Sequence, residues 1–99
     1  MNEHGKSRHV IVTTDHNKRG VFYGVLADRK SKTELVLTDA KMVIYWSPET
    51  HGVLGLAANG PADGSRVSPA VSSIELQGVT AIMDCSEKAI ARFAEEIWT

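Results

Sequence analysis

Few residues in this chain have the types and spacing to do chemistry, and they gather around one unusual stretch. Residues 52–69 read GVLGLAANGPADGSRVSP and hold four of the eight glycines and two of the three prolines. Within that stretch Arg66 stands beside Ser65, with Asn59 before it and Ser68 after it. A guanidinium offers a planar fork that takes a phosphate or carboxylate in bidentate fashion. Gly60 and Gly64 let backbone N–H groups come close to such an anion. Tyr45-Trp46-Ser47 leads directly into the segment. Adjacent strand positions point to opposite faces, so only one of the two rings belongs in a one-sided core. The other is free to stack on a base, a contact worth about 1–3 kcal/mol, or to bury a subunit contact. The expected binding set is Arg66, Ser65, Asn59, Trp46 and Ser68. Arg19 and His16, in the first turn, supply further contacts to an anion.

Other chemistries find little footing. His4, His9, His16 and His51 form no i+3 or i+4 pair and no cysteine pair accompanies them, so no metal site is expected. Cys85 is single, which excludes an internal disulfide and fits a reducing compartment; an inert, buried thiol is its expected state. Neither phosphate-loop fingerprint, G-x-x-x-x-G-K-[ST] or G-x-G-x-x-G, is present. Ser65 and Ser68 lie in no G-x-S-x-G elbow. The expectation is a protein that is not an enzyme and uses no cofactor.

A chain of 99 residues has room for one core only. Hydrophobic residues make up 42% and charged residues 23%, the range of a globular chain. No apolar run approaches the roughly 18 residues a membrane span requires. The start, MNEHGKSRH, is too polar for a secretory signal, so a cytoplasmic location is expected. The net charge of −1 argues against a general nucleic-acid binder. The charge is uneven: residues 1–41 carry eight Lys/Arg against five Asp/Glu, and residues 42–99 carry three against seven. Such a split marks a ligand face, a contact between identical subunits, or simply a solvated surface.

The elements that must position these residues read mainly as β. RHVIVTT (8–14) is β-branched and ends at the turn residues DHNKRG. GVFYGVLA (20–27) is apolar on both faces, so it is expected between two layers, with Gly24 marking a bend or close backbone approach. TELVLTDAKMVIYW (33–46) is too long for a flat strand, and Thr38-Asp39-Ala40 is the natural bulge. Residues 47–70 read as a long Gly/Pro loop. VSSIELQ (71–77), Gly78 and VTAIMD (79–84) resume the strand pattern. A helix is expected over 87–98, with Ser86 as N-cap and Ile90, Phe93, Ala94, Ile97 and Trp98 along its apolar stripe.

KRGVFYGVLADRKSKTELVLTDA (18–40) and IELQGVTAI (74–82) resemble the two sequence blocks of the Sm-like family. That resemblance implies a small five- to six-stranded SH3-like or Sm-like barrel, or a bent sheet, here with its one helix C-terminal instead of before the first strand. The family's RNA site uses a base-stacking aromatic or His beside an Asn in the turn. The matching turn here, 28–32, has neither, and Gln77 stands before Gly78 where the family usually has Arg. Separately, HVIVTT, RGVFYG, IYWS, GVLGLAANGP and SRVSP resemble small proteins encoded by phages and prophages. Among phage proteins of this size are oligomeric sponges that antagonise Thoeris-type defences by sequestering cyclic nucleotide signals. What these resemblances imply is a homo-oligomeric, non-catalytic protein sequestering a small anionic, nucleotide-like signal. The alternatives are an Sm-like RNA-binding ring and a phage accessory protein that binds a host protein.

Overall fold

The computed structural model describes residues 7–15 and 20–95. The expectations placed on His16, Arg19, Ile97 and Trp98 lie outside the described residues. Six strands form one antiparallel sheet: β1 (His9–Thr14), β2 (Gly20–Arg29), β3 (Glu34–Tyr45), β4 (Arg66–Val67), β5 (Val71–Gln77) and β6 (Val79–Asp84). Two helices, α1 (Gly52–Asn59) and α2 (Glu87–Ala94), lie against it. The order is β4-β3-β2-β1-β6, and β5 joins the edge of β3 beside β4. Of the two shapes expected, barrel or bent sheet, the molecule takes the bent sheet.

The bending has a definite origin. β5 and β6 are consecutive halves of one stretch that turns at Gly78. β5 pairs with the first half of β3, from Glu34 opposite Gln77 to Ala40 opposite Val71. β6 pairs with β1 at the other end of the sheet, from Val79 opposite Thr14 to Asp84 opposite Val10. At the corner the N–H of Val79 donates to the Thr33 carbonyl at 3.0 Å, and the N–H of Asp15 donates to the Gly78 carbonyl at 3.1 Å. Covalent continuity through Gly78 thus joins the two ends of the sheet.

The bulge expected at Thr38-Asp39-Ala40 is present. Tyr23 faces Lys41 and Val25 faces Thr38, so two residues of β3 oppose the single Gly24. Asp39 takes a left-handed conformation there, with φ of 48°, which Asp tolerates better than most side chains. A Cβ on Gly24 would sit 3.1 Å from the Thr38 carbonyl oxygen and from Leu37 Cβ, so the close approach expected of this glycine is real.

Two cores follow from the alternation of side chains. Val10, Val12, Leu35, Leu37, Leu76 and Val79 fill the concave side, where the bent sheet folds over itself. Ile11, Tyr23, Val43, Leu56, Val67 and Phe93 fill the other side, under the helices. Strand β2 feeds both, with Phe22 and Leu26 inward and Val21 and Tyr23 toward the helices, as its two apolar faces require. The Phe93 ring lies on Tyr23, centroids 4.0 Å apart and planes within 9°.

Residues 47–70 are not the loop their composition suggests. A 3-10 turn (Pro48–Thr50), then α1 and β4, occupy much of the segment. Two of the four glycines that made it look irregular, Gly55 and Gly60, answer to packing. A Cβ on Gly55 would lie 1.7 Å from the Thr50 carbonyl oxygen, so glycine alone lets α1 fold back on the turn before it. Gly60 closes α1 at φ of 81°, its N–H donating to the Leu56 carbonyl at 2.9 Å. A Cβ there would fall 2.5 Å from Arg92 Cβ. The close approach these glycines permit is therefore to the chain itself.

Helix α2 begins where expected. The Ser86 hydroxyl accepts from the Ala89 N–H at 3.0 Å and Glu87 stands in the first turn, the arrangement that satisfies orphan donors and complements the helix dipole. The same hydroxyl donates to the Ala58 carbonyl at 2.6 Å, and the Ser86 N–H donates to the Ala57 carbonyl at 2.9 Å. One residue thus caps the start of α2 and the end of α1. Lys41 Nζ donates to the Phe93 carbonyl at 2.6 Å, placing a cation at the C-terminus of α2.

Candidate functional site

The corner where β3 meets β4 collects most of the residues singled out above. Tyr45 stands opposite Arg66 in the register, after Val43 opposite Val67. Ile44 is the extra residue between these two pairs. Tyr45 is 50% exposed, and Arg66 is exposed with no hydrogen-bond or ion-pair partner among the described residues. Trp46 is half-buried and packs on the helix-covered core. The division foreseen between the two rings therefore goes one way: Trp46 is structural and Tyr45 is free. The expectation that named Trp46 as the stacking ring moves by one residue.

The serines hold this corner in place. Ser65 is buried, and its hydroxyl accepts from the Ser47 N–H at 3.0 Å and lies 3.4 Å from Thr50 Oγ1. Thr50 Oγ1 in turn accepts from the Ala62 N–H at 3.0 Å. Ser68 exchanges bonds with Met42: its N–H donates to the Met42 carbonyl at 2.9 Å, and its hydroxyl accepts from the Met42 N–H at 2.8 Å. That hydroxyl also donates to the Pro69 carbonyl at 3.0 Å. Both hydroxyls that were expected on a ligand are thus engaged by main chain. They act by fixing the two-residue strand that carries Arg66.

Asn59 is exposed at the end of α1 and lines a different groove, of about 310 Å³, with Glu49, Lys88 and Arg92. Arg92 does not serve as an anion site there. Its guanidinium donates twice to the Pro61 carbonyl, at 3.0 and 2.8 Å, and meets the carboxylates of Glu95 and Asp63. An apolar groove of about 340 Å³ adjoins the β3–β4 corner, lined by Thr13, Thr14, Val21, Met42, Ile44 and Trp46. Met42 and Ile44 are exposed there, on the strand that leads to Tyr45.

Residue by residue, the chemistry of the rest is quiet. Burial, helped by the neighbouring Asp84 carboxylate, pushes the Cys85 thiol up to about 12. A thiol held protonated in this way is a poor nucleophile. Burial first, then the charges of Cys85 and Asp39, push the Tyr23 phenol up to about 12. Among the described residues no group of three or more His, Cys, Asp or Glu is placed to hold a metal ion. No helix among them is long and apolar enough to cross a membrane.

Residues 7–93 match the family model described as a domain of unknown function, DUF6948. The chain belongs to that family. Comparison of this DUF6948 domain with curated proteins and with solved structures returned no match. The β3–β4 corner and its two side chains are accordingly judged on their own chemistry.

Proposed function

We propose that the protein is a non-catalytic binder of a small anionic ligand that carries a planar ring, nucleotide-like in character. One observation carries the reading: an exposed aromatic, Tyr45, stands opposite an exposed arginine, Arg66, that has no partner among the described residues, on a corner made rigid by Ser65 and Ser68. The guanidinium takes the phosphate, and the ring stacks the base. The apolar groove beside Trp46 is of a size that receives the remainder of such a molecule. Sequestration by a homo-oligomer of phage type, as an anti-defence sponge acting in the host cytoplasm, is the biological use we attach to it, on the sequence resemblance described above. The RNA reading has less behind it, because the 28–32 turn offers no stacking side chain.

Isothermal titration of the full chain against a panel of mononucleotides, cyclic nucleotides and cyclic ADP-ribose isomers tests this reading. At least one ligand binds, and both Arg66→Ala and Tyr45→Ala weaken it by tenfold or more without lowering the melting temperature. A panel that shows no binding, or a ligand that Arg66→Ala binds as well as wild type, overturns the proposal.

A further inference from the structure

The groove beside the β3–β4 corner differs from its neighbours in what lines it. The groove at the end of α1 carries Glu49, Lys88 and Arg92, and one of about 430 Å³ at the Gly78 corner carries Asp15 and Glu34. The corner groove, of about 340 Å³, has no charged side chain among its lining residues, and Thr13 and Thr14 are its polar members. The Thr13 hydroxyl bonds to Thr80 Oγ1 at 2.7 Å. The half-buried Thr14 hydroxyl has no partner among the described residues.

The strand register lays this groove out as a row that begins at the anion site. Arg66 faces Tyr45, and Ile44 comes next on β3. Phe22 faces Met42, and continuing that register by two residues brings Gly20 level with Ile44; Thr14 in turn faces Gly20. From β4 through β3 and β2 to β1, at about 4.8 Å per strand step, the row spans about 14 Å from Arg66 to Thr14. Along it Met42, Ile44 and Tyr45 are 40%, 59% and 50% exposed, an apolar strip of the kind that marks a binding surface.

Charge decides what fits there. A second phosphate placed over Ile44 loses its water and meets no cation among the described residues. An apolar group placed there covers the strip and releases the water on it. We propose that the ligand is a singly charged amphiphile: one phosphate at Arg66, one planar ring on Tyr45, and an uncharged apolar limb in the groove. A neutral hydrogen-bonding group on that limb meets the Thr14 hydroxyl. An alkyl ester of a nucleoside monophosphate has this make-up. The inference rests on the anion-and-ring reading above and names the ligand class within it.

Isothermal titration of the full chain tests it with a matched set built on adenine and on guanine: the nucleoside monophosphate, its hexyl phosphodiester, the nucleoside diphosphate, and hexyl phosphate without a nucleoside. For at least one base the hexyl ester binds tenfold or more tighter than the monophosphate, and both the diphosphate and hexyl phosphate bind more weakly than the ester. The heat-capacity change on binding is more negative for the ester than for the monophosphate, which reports the apolar burial without any variant. Ile44→Ser, at an exposed position, lowers the ratio of ester to monophosphate affinity at least threefold, whereas Lys88→Ala, in the α1 groove, leaves that ratio unchanged. An ester no tighter than the monophosphate, a diphosphate or hexyl phosphate as tight as the ester, equal heat-capacity changes, or a ratio that Ile44→Ser does not move overturns the inference. Those results leave the anion-and-ring reading standing; that reading falls instead if binding survives Arg66→Ala. A set in which nothing binds overturns the inference as well, and the reading then stands or falls by its own panel.

Discussion

Replacing Phe93 by alanine removes the ring that joins α2 to the sheet. Its side chain has 0% exposure and lies flat on Tyr23, centroids 4.0 Å apart. Truncating a fully buried Phe costs about 3–5 kcal/mol, transfer and cavity terms together. Within that range, stacking geometry accounts for about 0.5–1.5 kcal/mol. A domain of this length has a total stability of about 5–15 kcal/mol, so the loss is a large share of the whole. Phe93→Leu keeps most of the volume and forfeits the stack, and its expected cost is about 1–1.5 kcal/mol. Urea titration followed by tryptophan fluorescence and by circular dichroism measures both. Phe93→Ala should lower the midpoint with the m-value unchanged, and it should lower the melting temperature by on the order of 20 °C. Ala94→Ser, at an exposed position of the same helix, should change stability by no more than about 0.5 kcal/mol. A Phe93→Ala variant within 1 kcal/mol of wild type would refute the claim that α2 is fastened to the sheet through this ring.

Three further outcomes follow from the same geometry. Ser86→Ala removes the N-cap of α2 and the hydroxyl bond to the Ala58 carbonyl together; the expected loss is about 1–2 kcal/mol by thermal or urea unfolding, against a few tenths for Ser72→Ala. Cys85 and Tyr23 hold their protons more tightly in the folded chain, with values near 12 against ordinary values of 9.0 and 10.0. The unfolded chain therefore ionises first, so the stability these two groups contribute is constant below about pH 9 and falls as pH rises from there toward 12; Cys85→Ala should shallow that fall, and the native thiol should react with Ellman's reagent far more slowly than the urea-unfolded one. Asp39 sits at φ of 48° in the β3 bulge, so Asp39→Gly should stabilise by up to about 1 kcal/mol, whereas Asp39→Val should destabilise by about 1–2 kcal/mol.

The strands and the start of α2 were legible because their signals are local; α2 ends at Ala94, short of the expected 98, and Ala94 is exposed instead of lying on the packed stripe. Both faces of GVFYGVLA are apolar, and β2 lies between two cores. Thr38-Asp39-Ala40 interrupts a run too long to stay flat, and the bulge is there. Ser86 before an apolar stripe marked the start of α2. Helix α1 was not legible, because Gly55 and Gly60 answer to steric demands that exist only in the folded chain. Gly60 is small on account of Arg92, more than thirty positions downstream, and no local pattern encodes that neighbour. Gly55 is small because of Thr50, a contact that exists only once the 3-10 turn has formed. The candidate site was half legible. Arg66 and the Tyr45-Trp46 pair stand out by type, and alternation requires that one ring leave the core. Which ring leaves is set by the extra residue Ile44 between Val43 and Tyr45, a pairing detail that depends on β4. Ser65 and Ser68 carried the same hydroxyl signal as ligand contacts do, and only their main-chain partners show that they brace the corner instead.

The turn at Gly78 also governs when the molecule can be finished. β1 leaves the ribosome first, yet its second neighbour, β6, is made some seventy residues later. Until then a nascent chain presents β1 and the first half of β3 with unmatched flanks, and the concave core lacks Leu76 and Val79. Translation that stalls before residue 84 thus yields a sticky intermediate rather than a smaller working version. Fusions or cuts that delay delivery of the last quarter of the chain should be paid for in yield.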